Sequence, residues 1–228
     1  MSGVGGIEAV VLDVLGTMVD EPGGLREAVR EAVPACDEAS VERLLTVWRG
    51  HVEHEQRRVG EGLREYANSE VLDREAARRV ADRAGVTDPE AVERLATAGQ
   101  RLEPWADSQY GLMRLAQRFP VLGLSNASRT ALVRLSAHAG LRWHHALSAE
   151  EAQAYKPAER VYRLAVKAAG CAPERMLMVA AHAWDLRGAQ ALGMRTAYVE
   201  RPGGDPPKRT DTFDASSASL DALAAALE

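Results

Sequence analysis

The sequence predicts an α/β fold in which a parallel sheet carries an inserted all-helical segment. Three observations predict it. Short uninterrupted apolar runs recur along the chain, the sequence between the later runs has helical spacing, and one long stretch after the first run contains nothing strand-like. Runs that are apolar throughout, rather than alternating, mark strands buried on both faces, as in parallel sheets. Their alternation with helices is the α/β pattern.

The first run, Ala9-Val-Val-Leu-Asp13, ends in a carboxylate and is followed by Gly16 and Thr17, which suit a tight turn. From about 22 to 102 the chain turns charged, Arg/Glu-rich and helically periodic. Val41, Leu44, Leu45, Trp48 and Val52 fall on one helix face, and Ala77, Val80, Ala81 and Ala84 on another, with Gly85 as its stop. Apolar runs resume at 120–124, 176–180 and 195–199. Val161, Leu164, Ala165 and Ala168 share a helix face between them, and a helix through Ala189 to Leu192 stops at Gly193. Residues 201–212 are rich in Pro and Gly and read as a loop, and 220–227 as a short terminal helix. The expected division is a core of 1–20 and 103–228 with a helical cap of 21–102. No internal repeat is evident.

Composition narrows the function. Of 228 residues, 28 are Lys or Arg and 33 Asp or Glu, a formal charge of −5, which argues against a partner bound by phosphate neutralisation, so no nucleic acid is expected. The cations divide into 25 Arg and only 3 Lys, at 156, 167 and 208. The apolar share of 46% and charged share of 27% are those of a globular chain. No stretch approaches the roughly 20 apolar residues that span a bilayer, so no membrane partner is expected. The N-terminus lacks the basic region and long apolar core of a signal peptide, so the expected location is the cytoplasm. Cys36 and Cys171 match no zinc or redox spacing and read as ordinary thiols.

Open α/β sheets bind ligands beyond the carboxyl ends of their strands. Four segments would meet there: Asp13-Val-Leu-Gly-Thr17, Ser125-Asn126, Lys156-Pro157 and Trp184-Asp185. Their order and spacing resemble the haloacid dehalogenase (HAD) superfamily over essentially the whole chain. The resemblance implies a Rossmann-like parallel sheet core, the HAD fold, with an inserted all-helical cap domain. Most members of that superfamily are phosphatases with a second Asp two positions after the first. Here that position is Leu15, which can neither protonate a leaving group nor activate water, removing a general acid/base contribution of roughly 10²–10⁴ fold. Only one carboxylate, Asp185, stands in the last segment, which weakens the case for a bound Mg²⁺.

The specific resemblance is to the L-2-haloacid dehalogenases. It rests on Leu12-Asp13-Val-Leu-Gly-Thr-Met-Val-Asp20, Trp48-Arg49, Leu124-Ser-Asn-Ala-Ser128, Tyr155-Lys-Pro-Ala-Glu-Arg-Val-Tyr162 and Ala183-Trp-Asp-Leu-Arg-Gly-Ala189. It implies a hydrolase that turns an (S)-2-haloacid and water into the (R)-2-hydroxyacid and halide, with no metal or other cofactor and a homodimeric state. Asp13 would be the nucleophile, forming an aspartyl ester. Lys156 would neutralise charge around Asp13 and Asp185, holding the nucleophile ionised and placed, and Asp185 would orient or activate the hydrolytic water or cap its helix. Arg49, on the cap, would cradle the halide or the substrate carboxylate. Asn126 could donate amide protons to the same anion, while Thr17, Ser125 and the backbone amides of residues 14 and 15 suit the carboxylate or an oxyanion. By itself Ser125 also reads as a turn serine and Tyr162 as a core tyrosine. Leu15 and Trp184 are expected as apolar walls. Well-known members have Tyr at the place of Leu15, and many have Ser-Ser-Asn where this chain has Ala180-Ala-His182. His182 therefore reads as a substituted donor, a titrating group or a packing residue. Competing functions are a HAD-type phosphatase or other hydrolase, and a catalytically idle member with a binding role.

Overall fold

The computed structural model describes residues 6–227. Six strands form one parallel sheet in the order β3-β2-β1-β4-β5-β6: β1 (Ala9–Asp13), β2 (Val121–Ser125), β3 (His145–Ser148), β4 (Met176–Ala180), β5 (Arg195–Val199) and β6 (Ala215–Ser217). β1 is central, pairing Val10 with Val121 of β2 and with Leu177 of β4. All five residues of β1, β2 and β4 are buried, as continuous apolar runs require.

Alternation along β1 divides the core. Val10 and Leu12 join one apolar cluster with Leu112, Leu132 and Leu220, from α5 (Ser108–Ala116), α6 (Arg129–His138) and α9 (Leu220–Ala226). Ala9 and Val11 face the other layer, built on Val161 and Leu186 from α7 (Glu159–Ala169) and α8 (Ala183–Ala191). Helices thus cover both faces. Among the described residues no helix is long and apolar enough to cross a membrane.

Between β1 and α5 the chain forms the all-helical cap: α1 (Glu21–Ala32), α2 (Glu38–Gly60), α3 (Ser69–Ala84) and α4 (Pro89–Ala96), then a 3-10 turn (Ala98–Gln100). Its apolar faces meet in a separate cluster that includes Leu45, Trp48, Ala77, Val80 and Leu95. Each helix begins on a side-chain cap: Asp20, Asp37, Asn68 and Asp88 accept backbone amides of the first turn. Gly85 ends α3 at φ 72°, a left-handed conformation that glycine adopts without a Cβ penalty. The cap joins the core where Val19 bridges Pro104 and Asp20 N donates to Glu103 O at 2.8 Å. On its far side Tyr155 OH donates to Ala67 O at 2.6 Å, and Ser128 N donates to Ser69 Oγ at 2.8 Å.

β3 and β6 have no counterpart among the apolar runs of the sequence, and β2 spans Val121–Ser125 where the sequence predicts a strand over 120–124.

Candidate active site

Strand order reverses between β1 and β4, and the carboxyl ends of these two strands open there into a cavity of about 1440 Å³ between core and cap. Asp13, Leu15, Asn126, Lys156, His182 and Trp184 line it from the core, and Glu21, Trp48, Arg49, Ser69 and Asp73 from the cap.

Asp13 is the last residue of β1, so the strand aims its carboxylate at the cavity floor. Lys156, in the loop before α7, sets its Nζ 2.5 Å from Asp13 Oδ1 and 2.6 Å from Asp185 Oδ2. The ammonium is almost wholly enclosed, and a buried charge persists only when paired. Here it bridges two carboxylates. Asp13 Oδ2 accepts the Thr17 hydroxyl at 2.7 Å and lies 3.2 Å from His182 Nδ1. Burial alone would raise the Asp13 pKa, but the Lys156 charge and the contacts with His182 outweigh it and hold the carboxyl well below its usual range. Asp13 is therefore ionised at neutral pH. Asp185 differs: burial is its largest influence and pushes it upward, against the pull of Lys156.

Four residues expected at the site stand behind the cavity wall: Thr17, Ser125, Tyr162 and Asp185, the last touching the cavity only through Lys156. Tyr162 is fully buried and donates to Asp185 Oδ1 at 2.6 Å, so it orients that carboxylate instead of lining the substrate space. Ser125 is also fully buried, and its Oγ accepts Ala127 N at 3.1 Å as a turn serine. Asn126 does line the cavity. Its Oδ1 accepts Lys156 N at 2.8 Å, which leaves its amide protons for a ligand. Arg49 extends from α2 into the cavity with no hydrogen bond or ion pair to any described residue, so its guanidinium is available to an anion. Asp185 does not cap α8. Asp205 does so from the loop after β5, where its Oδ2 accepts Trp184 N at 3.0 Å.

His182 follows β4 and sits against Asp13. Burial opposes its charge, but the bond to Asp13 and the carboxylates of Asp13, Glu21 and Asp185 prevail and raise its pKa. Gly16 makes the approach possible. Its φ of +74° is left-handed, and a Cβ there would lie 2.7 Å from His182 Cε1.

Several contributors escaped sequence reasoning. Glu21 lines the cavity beside His182. Arg201 Nε donates to Thr17 O at 2.9 Å and Trp105 Nε1 to Gly16 O at 3.2 Å, which fixes the turn after Asp13 from outside. The half-buried Asp73 carboxyl is pushed up to about 8 by desolvation and by the charges of Glu21 and Glu70.

A strand-end carboxylate paired with a buried lysine beneath a helical cap places the chain among the capped α/β hydrolases. The sequence model of the haloacid dehalogenase-like hydrolases matches residues 7–193, and the chain belongs to that family, on its L-2-haloacid dehalogenase branch. It is 31% identical over 224 residues to an (S)-2-haloacid dehalogenase of Pseudomonas sp. (strain YL), spanning 95% of this chain and 93% of that protein. A crystal structure of an L-2-haloacid dehalogenase superposes with a TM-score of 0.87 at 29% identity, over 98% of this chain and 100% of that one. The Xanthobacter autotrophicus L-2-haloacid dehalogenase, solved with chloropropionic acid covalently bound, gives 0.82 at 25% identity over 97% and 98%.

Proposed function

We propose that the protein hydrolyses short 2-haloacids, converting an (S)-2-haloacid and water to the (R)-2-hydroxyacid and halide through an ester on Asp13, with no metal taking part. The observation that carries this reading is the ionised Asp13 facing a cavity in which Leu15 occupies the place of a phosphatase's second carboxylate. The relative with a covalently bound chloropropionic acid supports a covalent route.

In the first step an Asp13 oxygen attacks C2 from behind, the carbon–halogen bond breaks, and halide leaves with the electron pair, inverting C2. Arg49 and Asn126 stand where the anions of substrate or halide need donors. In the second step water adds to the Asp13 carbonyl carbon, and the bond from that carbon to the ester oxygen breaks. The hydroxyacid carries away an oxygen that began on Asp13, and one proton is released per turnover. Asp185 would steer this water through the Lys156 bridge. Residues 21–102 are taken as the cap and 1–20 with 103–228 as the core. A homodimer, on family resemblance, and a cytoplasmic location belong to the same proposal.

Single turnover of chloroacetate by excess enzyme in ¹⁸O water tests it. Label is expected in Asp13 and an unlabelled new hydroxyl in glycolate. Label entering glycolate directly would overturn the ester route, and absence of halide release from any 2-haloacid would overturn the activity.

Asp73 adds a pH dependence. Its carboxyl is neutral below about 8 and anionic above. Because it lines the cavity that receives an anionic substrate, the KM for chloroacetate should rise roughly threefold to tenfold as pH passes through that value, a modest repulsion in a solvated cleft. Asp73→Asn should remove the rise. An unchanged profile in that variant would assign the rise to another group.

A further inference from the structure

The two oxygens of Asp13 are not equivalent. Oδ1 has one donor, Lys156 Nζ, whereas Oδ2 has two neighbours, the Thr17 hydroxyl and His182 Nδ1. An ionised carboxylate carries no proton, so the Thr17 hydroxyl must donate to Oδ2, and its rotor is fixed because its oxygen accepts Ala181 N at 2.9 Å. The less encumbered Oδ1 is the oxygen free to attack carbon. Oδ2 then becomes the carbonyl oxygen of the ester, with Thr17 and His182 already arranged around the atom that turns anionic when water adds.

Glu21 completes this arrangement from the cap. A Cβ on Gly16 would lie 3.1 Å from His182 Nε2 and 3.8 Å from Glu21 Oε2, so imidazole and carboxylate crowd the same glycine from two elements. The charged groups acting on His182 are Asp13 from β1, Glu21 from α1 and Asp185 from α8, with Lys156 beyond Asp13 and Arg49 beside Glu21. The three that act on it directly are carboxylates, and the Trp184 ring lies 5.8 Å from the imidazole, centroid to centroid.

Building on the aspartyl-ester reading, we propose that His182, as an imidazolium, stabilises with Thr17 the oxyanion of ester hydrolysis, and that Glu21 is the positioning residue that keeps His182 protonated. Water adds to the Asp13 carbonyl carbon and loses a proton, and the negative charge gathers on Oδ2 between Thr17 and His182. The tetrahedral centre then collapses, expelling Oδ1 bound to the product's C2. Lys156, already at Oδ1, stands next to the departing alkoxide, which takes up the second proton.

Rapid-quench kinetics with chloroacetate separate the two steps by following halide release and the intact-protein mass. In His182→Ala ester hydrolysis should slow roughly 10²-fold, the scale of one lost oxyanion donor, and by more than the halide burst does, so the adduct accumulates. In Glu21→Gln hydrolysis should slow less, and the alkaline limb of its pH profile should move to lower pH, because removing a carboxylate that raises the His182 pKa lowers that pKa. Glu21→Asp should restore part of the shift. Circular dichroism of each variant establishes folding, and His182→Leu replaces His182→Ala if the latter does not fold. A slowdown confined to the halide burst, an unchanged hydrolysis rate in the His182 variant, or a limb that stays put in Glu21→Gln overturns the proposal. No halide from the parent protein overturns the dehalogenase reading instead.

Discussion

Asp13→Asn is expected to lower kcat by on the order of 10⁴–10⁶ fold, the scale seen when a nucleophile is removed from a covalent enzyme, while the protein stays folded. The substitution keeps the side chain's shape and removes only the attacking charge. Lys156 then remains paired with Asp185 at 2.6 Å, so the buried cluster loses one anion without stranding its cation. Thr17 and His182 still have an amide group to contact. Steady-state halide release should be lost while the thermal midpoint moves by only about a few degrees. Residual turnover within tenfold of the parent would remove Asp13 from the nucleophile's role.

Lys156→Met should be the most damaging change to stability. The Lys156 side chain is about as deeply enclosed as the two carboxylates it joins, at 1% exposure against 7% for Asp13 and 0% for Asp185. Deleting one partner of a buried ion pair costs about 3–5 kcal/mol, on the order of 10 °C in Tm for a chain of this size. The loss should depend on pH. Burial already raises the Asp185 pKa, and without the ammonium it rises further. A carboxyl with a raised pKa binds its proton more tightly folded than unfolded, so its contribution is favourable at low pH and fades as pH climbs through the folded pKa. Denaturation of the variant at pH 5 and pH 8 should therefore show the larger deficit at pH 8, and the reverse order would contradict the charge-bridge account. Lys156→Arg should not rescue activity, because a planar guanidinium cannot place one nitrogen within 2.6 Å of both carboxylates in the space of an ammonium.

Legibility in the sequence followed burial. β1, β2, β4 and β5 were visible because central parallel strands must be apolar on both faces. The edge strands were not: β3 reads His-Ala-Leu-Ser and begins exposed, and β6 is three small residues, Ala-Ser-Ser. Among site residues, Asp13 and Asp185 were visible through their place at or after predicted strands, and Lys156 through the family's motif. Tyr162 and Ser125 were visible as residues, but the side of the wall they occupy depends on packing between α7 and α8 and on the turn after β2. Glu21 was hidden for a local reason: an acid in the first turn of a helix is explained by the helix dipole alone. Arg201 was hidden by distance, since its contact with Thr17 O spans 184 residues.

The central position of β1 also has a consequence during synthesis. This strand is the first made, yet both its neighbours lie far downstream, β2 beginning at Val121 and β4 at Met176. When the ribosome has released the four cap helices, the nucleophile's strand still has nothing to pair with. The cap's contacts are local, and such contacts close faster than distant pairings. The lid is thus available before the chamber it covers, and Asp13 acquires its lysine only when the nascent chain has grown past residue 156.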